Sequence, residues 1–151
     1  MDLKRLTFAV APVVAAAVLG GLASRDAPEV YARLRKPDWA PPATAFGPVW
    51  TGLYAGTALA GWLMYPRASR STKALHLTQL ALNGAWSAAF FGVRDKRASL
   101  AIIGSLDATL AAEIARLRTE DPRAAALLTP YLAWTGFATA LNAAVSEPEK
   151  A

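Results

Sequence analysis

The sequence predicts an all-α fold, an integral membrane bundle of five transmembrane helices. Three observations predict it. Four uncharged stretches, Leu6–Ser24, Trp39–Pro66, Ala74–Val93 and Ala124–Ser146, are each long enough to cross a bilayer, which takes ~20 apolar residues. A fifth, Ala98–Leu117, is apolar but interrupted by Asp107, Glu113 and Arg116. The remaining charges sit in the joints, and no segment shows the period-2 alternation of a half-buried strand.

The chain reads as one domain over 1–151, with helices at 6–24, 46–65, 74–93, 98–117 and 124–146. The first span follows Asp2, Lys4 and Arg5. A basic start before an apolar middle also suits a signal peptide, but the further apolar segments favour a first helix. Segment 25–45 holds Pro28, Pro37, Pro41 and Pro42, too dense for a helix interior, and is expected to be a lid loop ordered by turns or packing. In the second and third spans, Gly52, Gly56 and Ala60, then Gly84 and Ala88, recur at four-residue spacing. That spacing lets backbones approach closely in lipid, within one bundle or across a dimer seam. In the fourth span, Asp107 and Glu113 either face the interior or, for Glu113, pair with Arg116 at the membrane edge.

Composition excludes several chemistries. The 151 residues include no cysteine, which rules out disulfides, thiolate metal sites and Cys nucleophiles. The single histidine, His76, cannot build a zinc site alone, and no metal is expected. The net charge of +5 comes from 16 Lys and Arg scattered in short clusters, a pattern unlike a nucleic-acid surface. Anionic lipid or an acidic ligand fits it better. Five spans put the termini on opposite sides, and Lys and Arg then divide eight against eight, so charge does not orient the bundle.

Topology gathers aromatic and amide residues in the half of the bundle nearest the lid. At ~1.5 Å rise per residue, Trp50 lies about one turn inside, Asn142 ~6 Å, Trp86 ~10 Å, Ala138 ~12 Å, Asn83 ~15 Å and Trp134 ~18 Å. Gln79, Asn83 and Trp86 share one helix face, and Trp134, Ala138 and Asn142 share another. Amides at such depths face protein or a cavity, and aromatic walls with a few polar groups make a small-ligand site. The competing reading is interhelical amide bonding with tryptophan anchors at the membrane interface, which suits Trp39 and Trp62 equally well.

Three blocks carry a family resemblance. The first runs from Tyr31 through Lys36, Pro37, Trp39, Pro41 and Pro42 to Pro48, Trp50 and Tyr54. The second is Gln79 to Gly92, with Asn83, Trp86, Phe90 and Phe91, and the third joins Pro130, Tyr131 and Trp134 to Leu141 and Asn142. In this order and spacing the chain resembles the TspO/translocator protein family, the tryptophan-rich sensory proteins and peripheral benzodiazepine receptors, over nearly its whole length. The resemblance implies five packed transmembrane helices, a homodimer, and a lid-capped pocket for porphyrin or haem that also takes benzodiazepine and isoquinoline ligands. It places Trp50, Asn83, Trp134, Ala138 and Asn142 in the pocket and Tyr31, Trp39 and Pro42 in the lid. Tyr54 and Trp86 join the candidate ligand-binding set from the same blocks. It implies no obligatory cofactor, a bacterial cell envelope as the location, and a sensor or regulator of tetrapyrrole level and stress response. Light-dependent porphyrin breakdown, with Trp50 and Trp134 as oxidisable indoles, and transport of porphyrins are the alternatives. One departure stands out: after Leu141 and Asn142 the chain lacks the Tyr and basic residue of the animal sterol-recognition stretch.

Overall fold

A computed structural model describes residues 2–23, 27–93 and 95–145 of the chain. Among them are six α-helices and no strand. They are α1 (Leu3–Ala23), α2 (Ala27–Arg33), α3 (Phe46–Met64), α4 (Arg70–Ser87), α5 (Lys96–Glu120) and α6 (Pro122–Ala144). A 3-10 turn, Ala43–Ala45, leads into α3, and α4 runs on into a π-helical turn, Ala88–Val93. Positions 24–26 and 146, inside the expected first span, lid and last span, lie outside the described residues.

The boundaries follow from caps. Ser69 accepts from Thr72 N at the start of α4, and Asp95 accepts from Ala98 N at the start of α5. Asp121 accepts from Arg123 N and Ala124 N, while Pro122 occupies the first turn of α6, where its missing N–H costs nothing. These caps explain why α4 starts before the expected 74 and α5 runs past both expected ends. Asp121 alone joins α5 to α6. It is fully buried and pairs with the exposed Arg67 at 3.3 Å and Arg123 at 3.6 Å.

The proline-rich segment is not all loop. Pro28 falls in the first turn of α2, where proline is tolerated, so a short helix forms inside the expected lid. It buries Val30 and Tyr31.

The long helices close into a ring in which α3 packs on α1, α1 on α4, α4 on α5, α5 on α6, and α6 back on α3. Small residues set the close approaches. A Cβ on Gly61 of α3 would lie 3.1 Å from Ala9 Cα of α1, so that position takes glycine. A Cβ on Gly56 would lie 3.8 Å from the Leu127 carbonyl oxygen of α6, and one on Gly84 3.8 Å from Leu19 of α1, so both serve packing within the chain. Gly52 faces open space. Leu110, Leu117, Leu128, Met64 and Tyr131 form the main apolar core.

Among the described residues, three helical stretches are long and apolar enough to cross a membrane: Leu3–Leu22, Lys96–Glu120 and Pro122–Ala144. The outer face of α1 carries Leu6, Val10, Val14, Val18 and Leu22, all exposed and one turn apart.

Candidate functional site

A cavity of about 290 Å³ opens at the lid end of the ring. Helix α3 offers Trp50 and, one turn on, Tyr54. Helix α4 ends there with Trp86 and Ser87, and its π turn adds Phe90 and Phe91. Helix α6 supplies Trp134, Phe137, Ala138, Leu141 and Asn142. Gly20 of α1 and Pro28 and Tyr31 of α2 complete the wall, with Phe46 at the start of α3.

Trp50 is the hub of the aromatic wall. Its ring centroid lies 5.5 Å from Tyr54, 6.4 Å from Trp86, 6.2 Å from Tyr131 and 6.3 Å from Trp134, the last two edge-on. Phe90 stacks on Trp86 at 5.4 Å, and Phe137 leans on Trp134 at 5.5 Å.

Two polar devices interrupt this wall. Trp86 Nε1 donates to Asn142 Oδ1 at 2.9 Å, tying α4 to α6. The Asn142 Nδ2 and Trp134 Nε1 donors are buried and have no partner among the described residues. Beneath the cavity, Tyr54 O–H donates to Asn83 Oδ1 at 3.0 Å, and Asn83 Nδ2 donates to the Tyr131 hydroxyl oxygen at 2.7 Å. This bridge across α3, α4 and α6 forms the cavity floor.

The lid is latched by its own groups. Tyr31 O–H donates to the Pro41 carbonyl, and Lys36 Nζ donates to the Tyr31 carbonyl at 2.6 Å and the Leu34 carbonyl at 3.2 Å. Lys36 also sits 4.6 Å over the Tyr31 ring. Burial raises the Tyr31 phenol above its ordinary pKa, so it stays a donor. Lys36 is thereby committed to the lid, and Arg35 is exposed.

Of the ten residues singled out in the sequence, Tyr31, Trp50, Tyr54, Trp86, Trp134, Ala138 and Asn142 border the cavity. Asn83 lies in the floor, bonded away from it. Trp39 is 51% exposed and packs edge-on against Phe137 at 5.6 Å, outside the cavity. Pro42 is exposed and precedes the 3-10 turn, its carbonyl accepting from Ala45 N. Trp62 lies away from the cavity, with the Arg5 guanidinium 4.0 Å over its ring. Phe46, Ser87 and Phe137 are cavity residues that the sequence reading did not select. Phe137 follows Trp134 by three residues, so helical spacing alone could have found it.

The two acidic residues of the fourth span both turn inward. Glu113 Oε1 meets His76 Nδ1 instead of Arg116, and both side chains are fully buried. Asp107 accepts from Thr139 Oγ1 of α6. No group of His, Asp or Glu among the described residues could hold a metal ion.

Comparison with known proteins covers the same span. The sequence model of the TspO/MBR family matches residues 8–147. The chain is 38% identical over 118 residues to the translocator protein of Homo sapiens, spanning 74% of this chain and 70% of that one. It is 33% identical over 149 residues to the tryptophan-rich protein TspO of Archaeoglobus fulgidus, spanning 96% and 97% of the two chains. With the tryptophan-rich sensory protein of Cereibacter sphaeroides it shares 36% identity over 138 residues, 91% of this chain and 85% of the other.

Proposed function

The chain belongs to the TspO/MBR family and is an integral membrane protein, and on that premise we propose that it binds a tetrapyrrole, porphyrin or haem, within the bilayer and acts as a sensor or regulator of tetrapyrrole level. In this reading α1 and α3 to α6 all cross the membrane. Helices α3 and α4 have 19 and 18 residues, near the ~20 that span hydrocarbon, and belong to the same ring as the three more apolar helices. The working unit is a homodimer.

The observation that carries the proposal is an aromatic cavity whose lining residues hold two unpartnered buried donors, Trp134 Nε1 and Asn142 Nδ2. Flat aromatic walls suit a conjugated ring, and the donors suit its acceptors: a propionate, a ring nitrogen, or the carbonyl of a benzodiazepine or isoquinoline carboxamide. Ligand pockets run from ~300 to 1,000 Å³, so this cavity is at the small end. A macrocycle therefore requires segment 27–45 to swing outward, breaking the Tyr31 latch.

The test is a titration of the detergent-solubilised protein with protoporphyrin, read by porphyrin absorption and tryptophan emission. Saturable binding supports the reading; a linear, non-saturating response refutes it. A second reading, light-dependent porphyrin breakdown, is favoured by the edge-on meeting of Trp50 and Trp134 at the cavity wall. Product formation in light but not in darkness separates an enzyme from a binder.

A further inference from the structure

The polar face of α4 continues below the cavity floor. Thr72, His76, Gln79 and Asn83 succeed one another at helical spacing, and all four are fully buried. The outer two are satisfied: Thr72 Oγ1 donates to Glu120 Oε2 at 2.6 Å, and Asn83 joins Tyr54 to Tyr131. The inner two are not. His76 Nδ1 and Glu113 Oε1 share one hydrogen bond. His76 Nε2, Glu113 Oε2 and both amide atoms of Gln79 have no partner among the described residues.

The mixture of atoms selects what can satisfy them. A metal cation would suit Glu113 Oε2 and Gln79 Oε1 but leave the Gln79 N–H donors unpaired. An anion would meet a carboxyl group. Water donates and accepts, and so can serve the Gln79 and Glu113 atoms. The His76 Nε2 edge is walled off, because a Cβ on Gly61 would lie only 3.2 Å from it. The Phe8 ring covers the imidazole at 5.3 Å. Water therefore belongs on the Gln79 and Glu113 side, ~4.5 Å along α4 from His76.

Charge fixes the proton count. His76 is the only ionic partner of Glu113 among the described residues. The other carboxylate of α5, Asp107, accepts from Thr139 on one oxygen and keeps the other buried without a partner among the described residues, the Tyr131 hydroxyl of α6 lies within the field of both carboxylates, and Phe8 of α1 and Gly61 of α3 lie against the imidazole. With α4 and α5 both spanning the bilayer, the reading on which this inference rests, a neutral imidazole donating to a carboxylate would leave a net negative charge in the membrane interior, which is expensive. One added proton removes it. The Nδ1–Oε1 hydrogen bond already holds one proton, so the added one goes to His76 Nε2 or to Glu113 Oε2.

We propose that His76, Glu113 and Gln79 form a hydrated proton-binding site in the bundle, separated from the cavity by the Tyr54–Asn83–Tyr131 bridge. Besides the proton in the Nδ1–Oε1 bond the site holds one more, and it binds water at Gln79. It is independent of which ligand fills the cavity.

The chain has one histidine and one glutamine, so ¹⁵N-histidine and ¹⁵N-glutamine labels each report a single residue. The full chain in lipid vesicles would be examined by solid-state NMR at neutral pH. The expected result is one proton between Nδ1 and Oε1, a second on His76 Nε2 or Glu113 Oε2, and a cross-peak from water to the Gln79 side-chain amide. A bare Nε2 beside an ionised Glu113 carboxylate, read from its carboxyl ¹³C shift, overturns the proton site. A Gln79 amide without water contact overturns its hydration, and Gln79 signals that move with added sodium would make it a cation site instead. Glu113→Gln should shift both imidazole nitrogen signals.

Discussion

Replacing Asn83 by Leu tests the cavity floor at nearly constant volume. Two hydrogen bonds disappear, the 3.0 Å bond from Tyr54 and the 2.7 Å bond to Tyr131. Their costs differ because the surroundings differ. Tyr131 is 1% exposed, so its hydroxyl is stranded, a loss of ~1–3 kcal/mol. Tyr54 borders the cavity, so its hydroxyl can turn toward open space, at ~0.5–1 kcal/mol. Together these come to ~1.5–4 kcal/mol. At ~2–4 °C per kcal/mol for a chain of this length, the melting point in detergent should fall by several degrees, on the order of 3–15 °C. Tyr131→Phe alone strands the buried Asn83 amide and should cost ~1–3 kcal/mol. The double variant removes both ends of the shorter bond, and removing both partners is nearly neutral. Its loss should therefore be smaller than the sum of the singles by ~1 kcal/mol or more. Strictly additive melting shifts would show that the bridge does not couple α4 to α6.

Three further outcomes concern the cavity. Trp50→Ala, which removes the hub of the aromatic wall, should weaken protoporphyrin binding by ~1 kcal/mol or more, measured by porphyrin absorption; equal affinities would take Trp50 out of the site. If porphyrin is consumed in light, the Trp50→Phe, Trp134→Phe double variant should lose that reaction while still binding, and unchanged product formation would clear both indoles of the role. Ala138 is buried against Trp86, Ile103 and Leu106, so Ala138→Thr should fold with a penalty of ~1–3 kcal/mol and bind porphyrin more weakly. Thermal melting beside a titration checks it: full binding would place Ala138 outside the pocket, and collapse would make it a packing residue.

Local spacing made much of the site legible. Gln79, Asn83 and Trp86 on α4, and Ala138 and Asn142 on α6, were readable as inward faces because helical periodicity fixes which side chains lie together, and all five are buried. What escaped depends on long-range pairing or on caps. His76 and Glu113 are 37 residues apart, and nothing in the spacing of either helix joins them. The π turn that brings Phe90 and Phe91 to the cavity has no residue signature comparable to a helix cap. The short helix α2 was hidden by counting prolines without asking where in a helical turn Pro28 would fall. Trp39 sat in a quoted motif, yet its ring lies on the outside of the lid, a choice made by its contact with Phe137.

The order of helices around the ring differs from their order along the chain, and this bears on biosynthesis. As the chain emerges, α1, α3, α4 and α5 can assemble only an open arc, α3–α1–α4–α5. The slot between α3 and α5 waits for α6, the last of the described helices, which must find a neighbour synthesised some sixty to ninety residues earlier. Until it docks, Tyr131 is missing from the floor and Trp134, Ala138 and Asn142 from the wall, so the cavity does not exist. A chain truncated after Arg123 would be a four-helix arc with an exposed polar groove.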